Sequence, residues 1–254
     1  MLLLITDTSG KDGFVGMVRI SEAQGTEKLE VIEEVGLAGG TFSAQLVPQI
    51  SALLAKHRLR KTDIGAFIVV SGPGSFTGLR VGLAAIKALA EILHPPIVSV
   101  SLLEVLALHS QMISVVLEEA GNQTVFAYAV ALDAGRREAF VGKYETVPGS
   151  SDNSFKVVGE SLMGIEDLAA SLESEAVRWI ATPDQTIFDA LTKVVSESKR
   201  RFIRRNLRRP RSLEVAELGW RKLQSGSTVS PEALEANYLR RSDAEIFPKP
   251  SSAS

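Results

Sequence analysis

Apolar and polar positions along this chain follow two different periods. Leu2-Leu3-Leu4-Ile5 runs straight into Asp7, and short apolar runs separated by Gly-containing turns predict strands over 2–7, 14–20 and 29–36. In the third run Leu29, Val31, Ile32 and Val35 alternate imperfectly. The period then changes. Phe42, Leu46, Ile50, Leu53 and Leu54 recur three and four apart, which is the stripe of a helix over 43–57. Pro48 has no amide hydrogen, so it belongs in a first turn or at a kink. Ala66–Val70 predicts a buried strand. A Gly/Ser/Pro loop leads from it into a helix over 77–92, which His94-Pro95-Pro96 ends before a strand over 97–100.

The second half is less regular. Its pattern predicts a helix over 101–120, a hairpin over 125–132 and 137–145, and a polar loop over 149–154. A strand over 155–159, a helix over 164–173, a strand over 176–181 and helices over 184–197 and 212–224 follow. The last seven residues, 248–254, are a Pro/Ser tail expected to be disordered. Strands alternating with helices give an α/β class, and hairpins make its sheet mixed.

The chain also repeats itself at an offset of 126 residues. Leu3-Leu4-Ile5-Thr6-Asp7-Thr8-Ser9-Gly10 runs on to Phe14-Val15-Gly16. Tyr128-Ala129-Val130-Ala131-Leu132-Asp133-Ala134-Gly135 runs on to Phe140-Val141-Gly142. Each copy reads strand, Asp, two small residues, turn, strand. Two similar α/β subdomains, each opening with a hairpin, would produce this pattern.

Composition narrows the class. The 254 residues are 45% hydrophobic and include no Cys, which excludes a disulfide scaffold, a thiolate zinc site and a cysteine nucleophile. No apolar run approaches the roughly 20 residues of a membrane span. The apolar start lacks a basic flank and reads as a strand, so a cytoplasmic location is expected. The net charge of −2 hides an uneven distribution. The run from Lys199 to Arg211 holds eight of the 28 Lys and Arg and no acid, leaving the rest of the chain at −10. Arg204, Arg205, Arg208 and Arg209 are candidate contacts to an RNA backbone. A solvated edge with Phe202, Ile203 and Leu207 turned inward is the alternative.

The strongest local signal is Ser71-Gly72-Pro73-Gly74-Ser75-Phe76-Thr77-Gly78-Leu79-Arg80-Val81-Gly82. A Gly-rich loop between strand and helix can offer backbone amides to an anion. It has no Gly-Lys-Ser/Thr, and Gly78 falls one residue too late for a dinucleotide fingerprint. Gly78 and Gly82 share a helix face where another backbone can approach, within the chain or across subunits, with Ala84 and Ala88 as further small residues. Asp7-Thr8-Ser9 and Asp133-Ala134-Gly135 are ordinary turn chemistry singly. As a facing pair they would form a phosphate or cation clamp, the site of an ATP-binding phosphotransferase. His57, His94 and His109 have no metal-site spacing, and no Gly-x-Ser-x-Gly elbow is present.

The Gly72–Gly82 string resembles the signature of the TsaB (YeaZ) family. Ile5-Thr6-Asp7-Thr8-Ser9, Leu132–Phe140 and Asn237-Tyr238-Leu239-Arg240 are similar to that family's opening, middle and C-terminal segments. The resemblance implies a duplicated actin-like (ASKHA, RNase H-like) fold of the actin, sugar-kinase and Hsp70 type. Its subdomains would cover 1–105 and 106–247. It implies a non-catalytic part in threonylcarbamoylation of tRNA adenosine 37, with the transferase TsaD as main partner and the ATPase TsaE beside it. A homodimer when alone, tRNA reached mainly through the complex, no cofactor, no metal and no catalytic residue are implied as well. The helices after Ser43 and Thr77 would carry the partner or dimer interface, through Leu46, Ile50, Leu53, Leu54, Gly78, Leu79, Gly82, Leu83 and Ile86. Asp7, Thr8, Ser9, Asp133 and Gly135 would be a vestigial phosphate site. The chain departs from the family in having Phe42, not His, before Ser43, which favours an apolar contact there.

Overall fold

The computed structural model describes residues 1–23, 25–109, 125–147, 155–200, 202–204 and 207–240. The first half opens with an antiparallel meander of β1 (Leu2–Asp7), β2 (Gly13–Ala23) and β3 (Thr26–Leu37). Helix α1 (Phe42–Lys56) leads to β4 (Ile64–Gly72), which lies parallel to β1. Helix α2 (Phe76–Leu93) leads to β5 (Ile97–Ser101), parallel to β4. The sheet order is β3-β2-β1-β4-β5, and the short helix α3 (Leu102–Leu108) follows.

The second half repeats this plan. Strands β6 (Ala127–Gly135), β7 (Glu138–Thr146) and β8 (Phe155–Gly164) form the meander. Helix α4 (Ile165–Glu173) leads to β9 (Trp179–Ala181), which is parallel to β6. Helices α5 (Gln185–Val194) and α6 (Glu197–Arg200) lead to β10 (Ile203–Arg204), parallel to β9, and α7 (Ser212–Gln224) follows. Read from β8 the order is β8-β7-β6-β9-β10, the same topology as the first sheet. This is the duplication expected from the 126-residue repeat, in the actin-like form that the family resemblance implies.

Three cores hold five layers together. One lies between the sheets and joins Leu3, Ile5 and Ile68 of the first to Tyr128, Val130 and Trp179 of the second, with α3 and α7 between them. The outer face of the first sheet packs Leu2, Leu4 and Phe67 under α1 and α2. The outer face of the second packs Ala129, Ala131 and Ile180 under α4 and α5. Although α7 is late in the chain, it packs on the first sheet. Gly219 and Gly16 allow this, since a Cβ at either would stand 2.4 Å from Ile68 and 2.5 Å from Ser212. Val229 then bridges to Ile97, so residues 212–229 return to the first half instead of staying within a 106–247 unit. Among the described residues no helix is long and apolar enough to cross a membrane.

Several boundaries differ from expectation. Pro48 sits inside α1 without ending it. Its ring and Ala44, whose carbonyl it leaves without an amide partner, are both on the exposed side, where water can take the bond. The helix expected over 101–120 is described only to Leu108; most of the remainder, and the loop over 149–154 together with the 248–254 tail, lie outside the described residues. The helix expected over 184–197 breaks after Val194, and the Glu173 carboxylate accepts from the Ser196 amide (2.5 Å) and hydroxyl (3.1 Å) at the start of α6.

One contact fixes how α2 sits. Cβ atoms at Gly74 and Gly78 would stand 2.1 Å from the Ser9 carbonyl oxygen and 2.2 Å from that of Thr8; at Gly82 one would stand 2.2 Å from Thr8 Oγ1. The glycines therefore serve close packing inside the chain, against the turn that ends β1. Gly78→Ala should lower unfolding stability by about 1–3 kcal/mol through overpacking. Leu46→Ala, at a fully buried side chain, should lower it by about 2–5 kcal/mol. Ala84→Ser on the outer side of α2 should stay within about 0.5 kcal/mol. Urea unfolding monitored by circular dichroism checks all three.

Candidate functional site

The two β-hairpins, the Gly loop before α2 and the C-terminal segment surround a cleft of about 1060 Å³ between the halves. Ser9, Lys11, Phe42 and Gly74–Gly78 line one wall. Asp133, Ala134, Phe140 and Arg209 line the other, and Asn237–Arg240 closes one side.

The two Asp turns do not mirror each other. Phe14 pairs with Asp7 across the first hairpin, whereas Phe140 pairs with Leu132 and Asp133 with Ala139. One residue of register reverses the face to which a side chain points. Asp7 therefore shares the inter-sheet face of Leu3 and Ile5, whereas Asp133 shares the outer face of Ala129 and Ala131. Asp7 is buried, and Ser9 donates to its Oδ1 from the amide (2.8 Å) and the hydroxyl (2.6 Å). Burial raises its pKa above the usual carboxylate range, against the lowering effect of the Ser9 donors and the more distant Arg209 charge. Thr8 and Ser9 are buried with it. Asp133 and Gly135 are exposed, and Asp133 accepts from the Gly135 amide (2.7 Å) and the Thr186 hydroxyl (2.7 Å). The facing clamp expected from the repeat is thus not formed.

The amides of the Gly loop are partly engaged as well. Ser75 N–H donates to the Ser9 carbonyl (2.7 Å), and Ser75 Oγ caps α2 by accepting from Gly78 N–H (3.2 Å). Asp184 holds the matching place in the second half, just before α5. It accepts from the Asp133 amide (2.8 Å) and from Arg209 (2.8 Å). Sequence reading passed over Asp184, although the repeat points to it: it follows β9 as Ser75 follows β4.

The C-terminal segment ties the halves together. Asn237 N–H donates to Ser71 of β4 (2.8 Å), while its side-chain amide donates to Glu160 of β8. Ser101 and Tyr144 also donate to Glu160, whose pKa burial raises. Tyr238 stacks on Phe76 (5.0 Å between centroids) and its hydroxyl accepts from Arg80, whose guanidinium lies 3.6 Å from the Phe76 ring centre. Arg240 pairs with Glu138.

The apolar stripe expected to meet a partner needs correction. Leu46, Ile50, Leu53, Leu54, Gly78, Leu79, Gly82, Leu83 and Ile86 are all buried in the chain's own packing. Ala84 and Ala88 do not continue the Gly78–Gly82 face but are exposed on another side of α2. What α1 presents outward from Ser43 to Ala55 is Ser43, Ala44, Val47, Pro48, Ser51, Ala52 and Ala55, without a charge; its only exposed charge is the last residue, Lys56, which pairs with Glu33. Beside it α2 presents Ala84, Ala88 and Ile92 at helical spacing, with Arg80 and Glu91 as exposed charges on the same helix.

The basic run is woven into the fold. Ile203 is a buried strand residue, Arg208 pairs with Glu214, Arg209 with Asp184, Arg211 with Glu34, and Lys199 with Glu175. Of the expected RNA contacts, Arg208 and Arg209 thus have partners within the chain. The Arg204 side chain and Arg205 lie outside the described residues. His57 bonds to Glu33, His94 caps α2 with φ of 63°, and His109 lies against Glu217. Among the described residues no group of three His, Asp or Glu is placed to hold a metal ion.

The raised pKa of Asp7 has a signed consequence. An acid whose folded pKa exceeds its unfolded value lowers stability as pH rises through the folded value. Asp7→Asn keeps the Oδ1 acceptor and removes the buried charge. Its melting temperature should gain on that of the parent as pH rises from about 4. A difference that stays constant with pH would contradict the burial cause.

Comparisons with known proteins agree with this geometry. The family model described as "TsaD: tRNA N6-adenosine threonylcarbamoyltransferase" matches residues 36–247. A Bacillus subtilis protein named tRNA threonylcarbamoyladenosine biosynthesis protein TsaB is 25% identical over 96% of both chains. An uncharacterized Mycobacterium tuberculosis protein is 32% identical over 44% of this chain, and the match spans about half (46%) of that relative's length. The structure of YeaZ from Pseudomonas aeruginosa superimposes with a TM-score of 0.66 at 21% identity, covering 94% of this chain and 99% of that one. The chain belongs to the tRNA N6-adenosine threonylcarbamoyltransferase family, in its TsaB (YeaZ) branch.

Proposed function

We propose that this chain takes part in threonylcarbamoyladenosine synthesis on tRNA as a non-catalytic subunit, docking a transferase of its own family through the outer faces of α1 and α2. One observation carries the proposal: the exposed residues of α1 between Ser43 and Ala55 are small or apolar and carry no charge, beside Ala84, Ala88 and Ile92 of α2. A surface helix ordinarily sets charged side chains against water, and an uncharged one suits close approach by another helix pair. The name of the Bacillus subtilis relative, matched along almost the whole chain, supports the pathway. TsaD is the proposed main partner, with TsaE joining the complex, and self-association through the same faces is proposed for the chain alone. The internal pairing of Arg208, Arg209 and Arg211 favours tRNA reaching the assembly chiefly through the transferase.

Ala52→Glu and Ala88→Glu each place a charge on the proposed face without touching the core. Either variant should keep its stability within about 0.5 kcal/mol. Burying the new carboxylate unpaired should weaken the complex with TsaD by about 2–5 kcal/mol, thirtyfold or more. Co-purification and calorimetry with purified TsaD measure this. Unchanged affinity for both folded variants removes the docking surface.

A further inference from the structure

Read as a facing pair, the two Asp turns would serve an ATP-binding phosphotransferase, and the residues around this cleft do not fit a metal-bound nucleotide. The carboxylates that would face a cation are already engaged. Ser9 donates twice to one oxygen of Asp7, Asp133 is bound by Gly135 and Thr186, and both oxygens of Asp184 have donors. The Gly loop fits no better. At Gly74 and Gly78, the positions where a phosphate needs open space hold the carbonyl oxygens of Ser9 and Thr8, at 2.1 and 2.2 Å from an ideal Cβ. Carbonyl oxygens repel an anion.

Arg209 stands in the cleft wall among these acids. Its guanidinium binds Asp184 at 2.8 Å, and the other oxygen of Asp184 holds the Asp133 amide at 2.8 Å. Its neighbours fix its place. Arg208 is paired to Glu214, Pro210 is buried, and Arg211 bonds to Glu34 at 2.8 Å. The charge of Arg209 also reaches Asp7 on the opposite strand end, where it favours the ionised carboxylate.

The geometry points to Arg209 as a built-in cation: it holds the Asp184 carboxylate and, with Asp7 and Asp133 engaged by their own donors, leaves none of the three carboxylates free for a metal-bound polyphosphate. This is independent of the docking face, whose test is separate. A fixed guanidinium costs no ion recruitment and cannot be exchanged, so the cleft is held in one charge state.

Two measurements on the full chain test it. Calorimetry with Mg-ATP should show no binding by the parent. In thermal melting, Arg209→Ala should fall by about 2–4 °C, a modest shift because the arginine is half exposed. Millimolar Mn²⁺ should restore that loss, leave the parent unmoved, and fail to act on the Asp184→Asn/Arg209→Ala double variant. Arg209→Gln serves in the same way if the alanine form does not fold. Mg-ATP binding by the parent, or equal responses of parent and variant to Mn²⁺, overturns the role given to Arg209 and leaves the docking proposal standing.

Discussion

The turn that ends β1 lies against α2 at Gly78 and Gly82, helix residues that carry no side chain. Thr8 and Ser9 approach Gly74, Gly78 and Gly82 so closely that a single methyl group would collide. This one approach sets the position of α2, and α1 packs beside it over the same sheet face. It also decides the chemistry of the loop. Glycines that could have opened a cradle for an anion instead admit the chain's own carbonyls. Close packing and phosphate binding make the same demand on sequence, a missing Cβ, and only the neighbouring atoms tell them apart.

Much of the fold was legible. The 3.6-residue stripe of α1, the hairpins and the 126-residue repeat each report a local periodicity that the packing respects. The repeat led to two sheets of identical order. The Asp pair within it misled, because strand side chains alternate and the second hairpin is shifted by one residue, which turns Asp133 away from the face that Asp7 occupies. An alignment of letters does not resolve a single step of register.

The candidate site was less legible for a related reason. Apolar side chains at Leu46, Ile50 and Leu83 mark a buried stripe, but periodicity does not say whether the cover is the chain's own sheet or another molecule. Here it is the chain's own sheet. The outward residues of α1 from Ser43 to Ala55 are uncharged and mostly small, a weak signal until the buried side is known. Charge clusters behave similarly. The run from Lys199 to Arg211 stands out in the sequence, yet its partners Glu34, Glu175, Asp184 and Glu214 are scattered along the chain.

A duplicated fold whose Gly loop is filled by its own carbonyls, whose Arg209 holds Asp184, and whose α1 faces outward without a charge from Ser43 to Ala55 is suited to being held by another protein. Hydrogen–deuterium exchange of the full chain, with and without purified TsaD, tests this most directly. The account predicts slowed exchange over residues 43–56 and 76–92 on binding, with the cleft segments 9–12 and 132–135 unchanged. Protection confined to the cleft segments, with both helices unaffected, would contradict it.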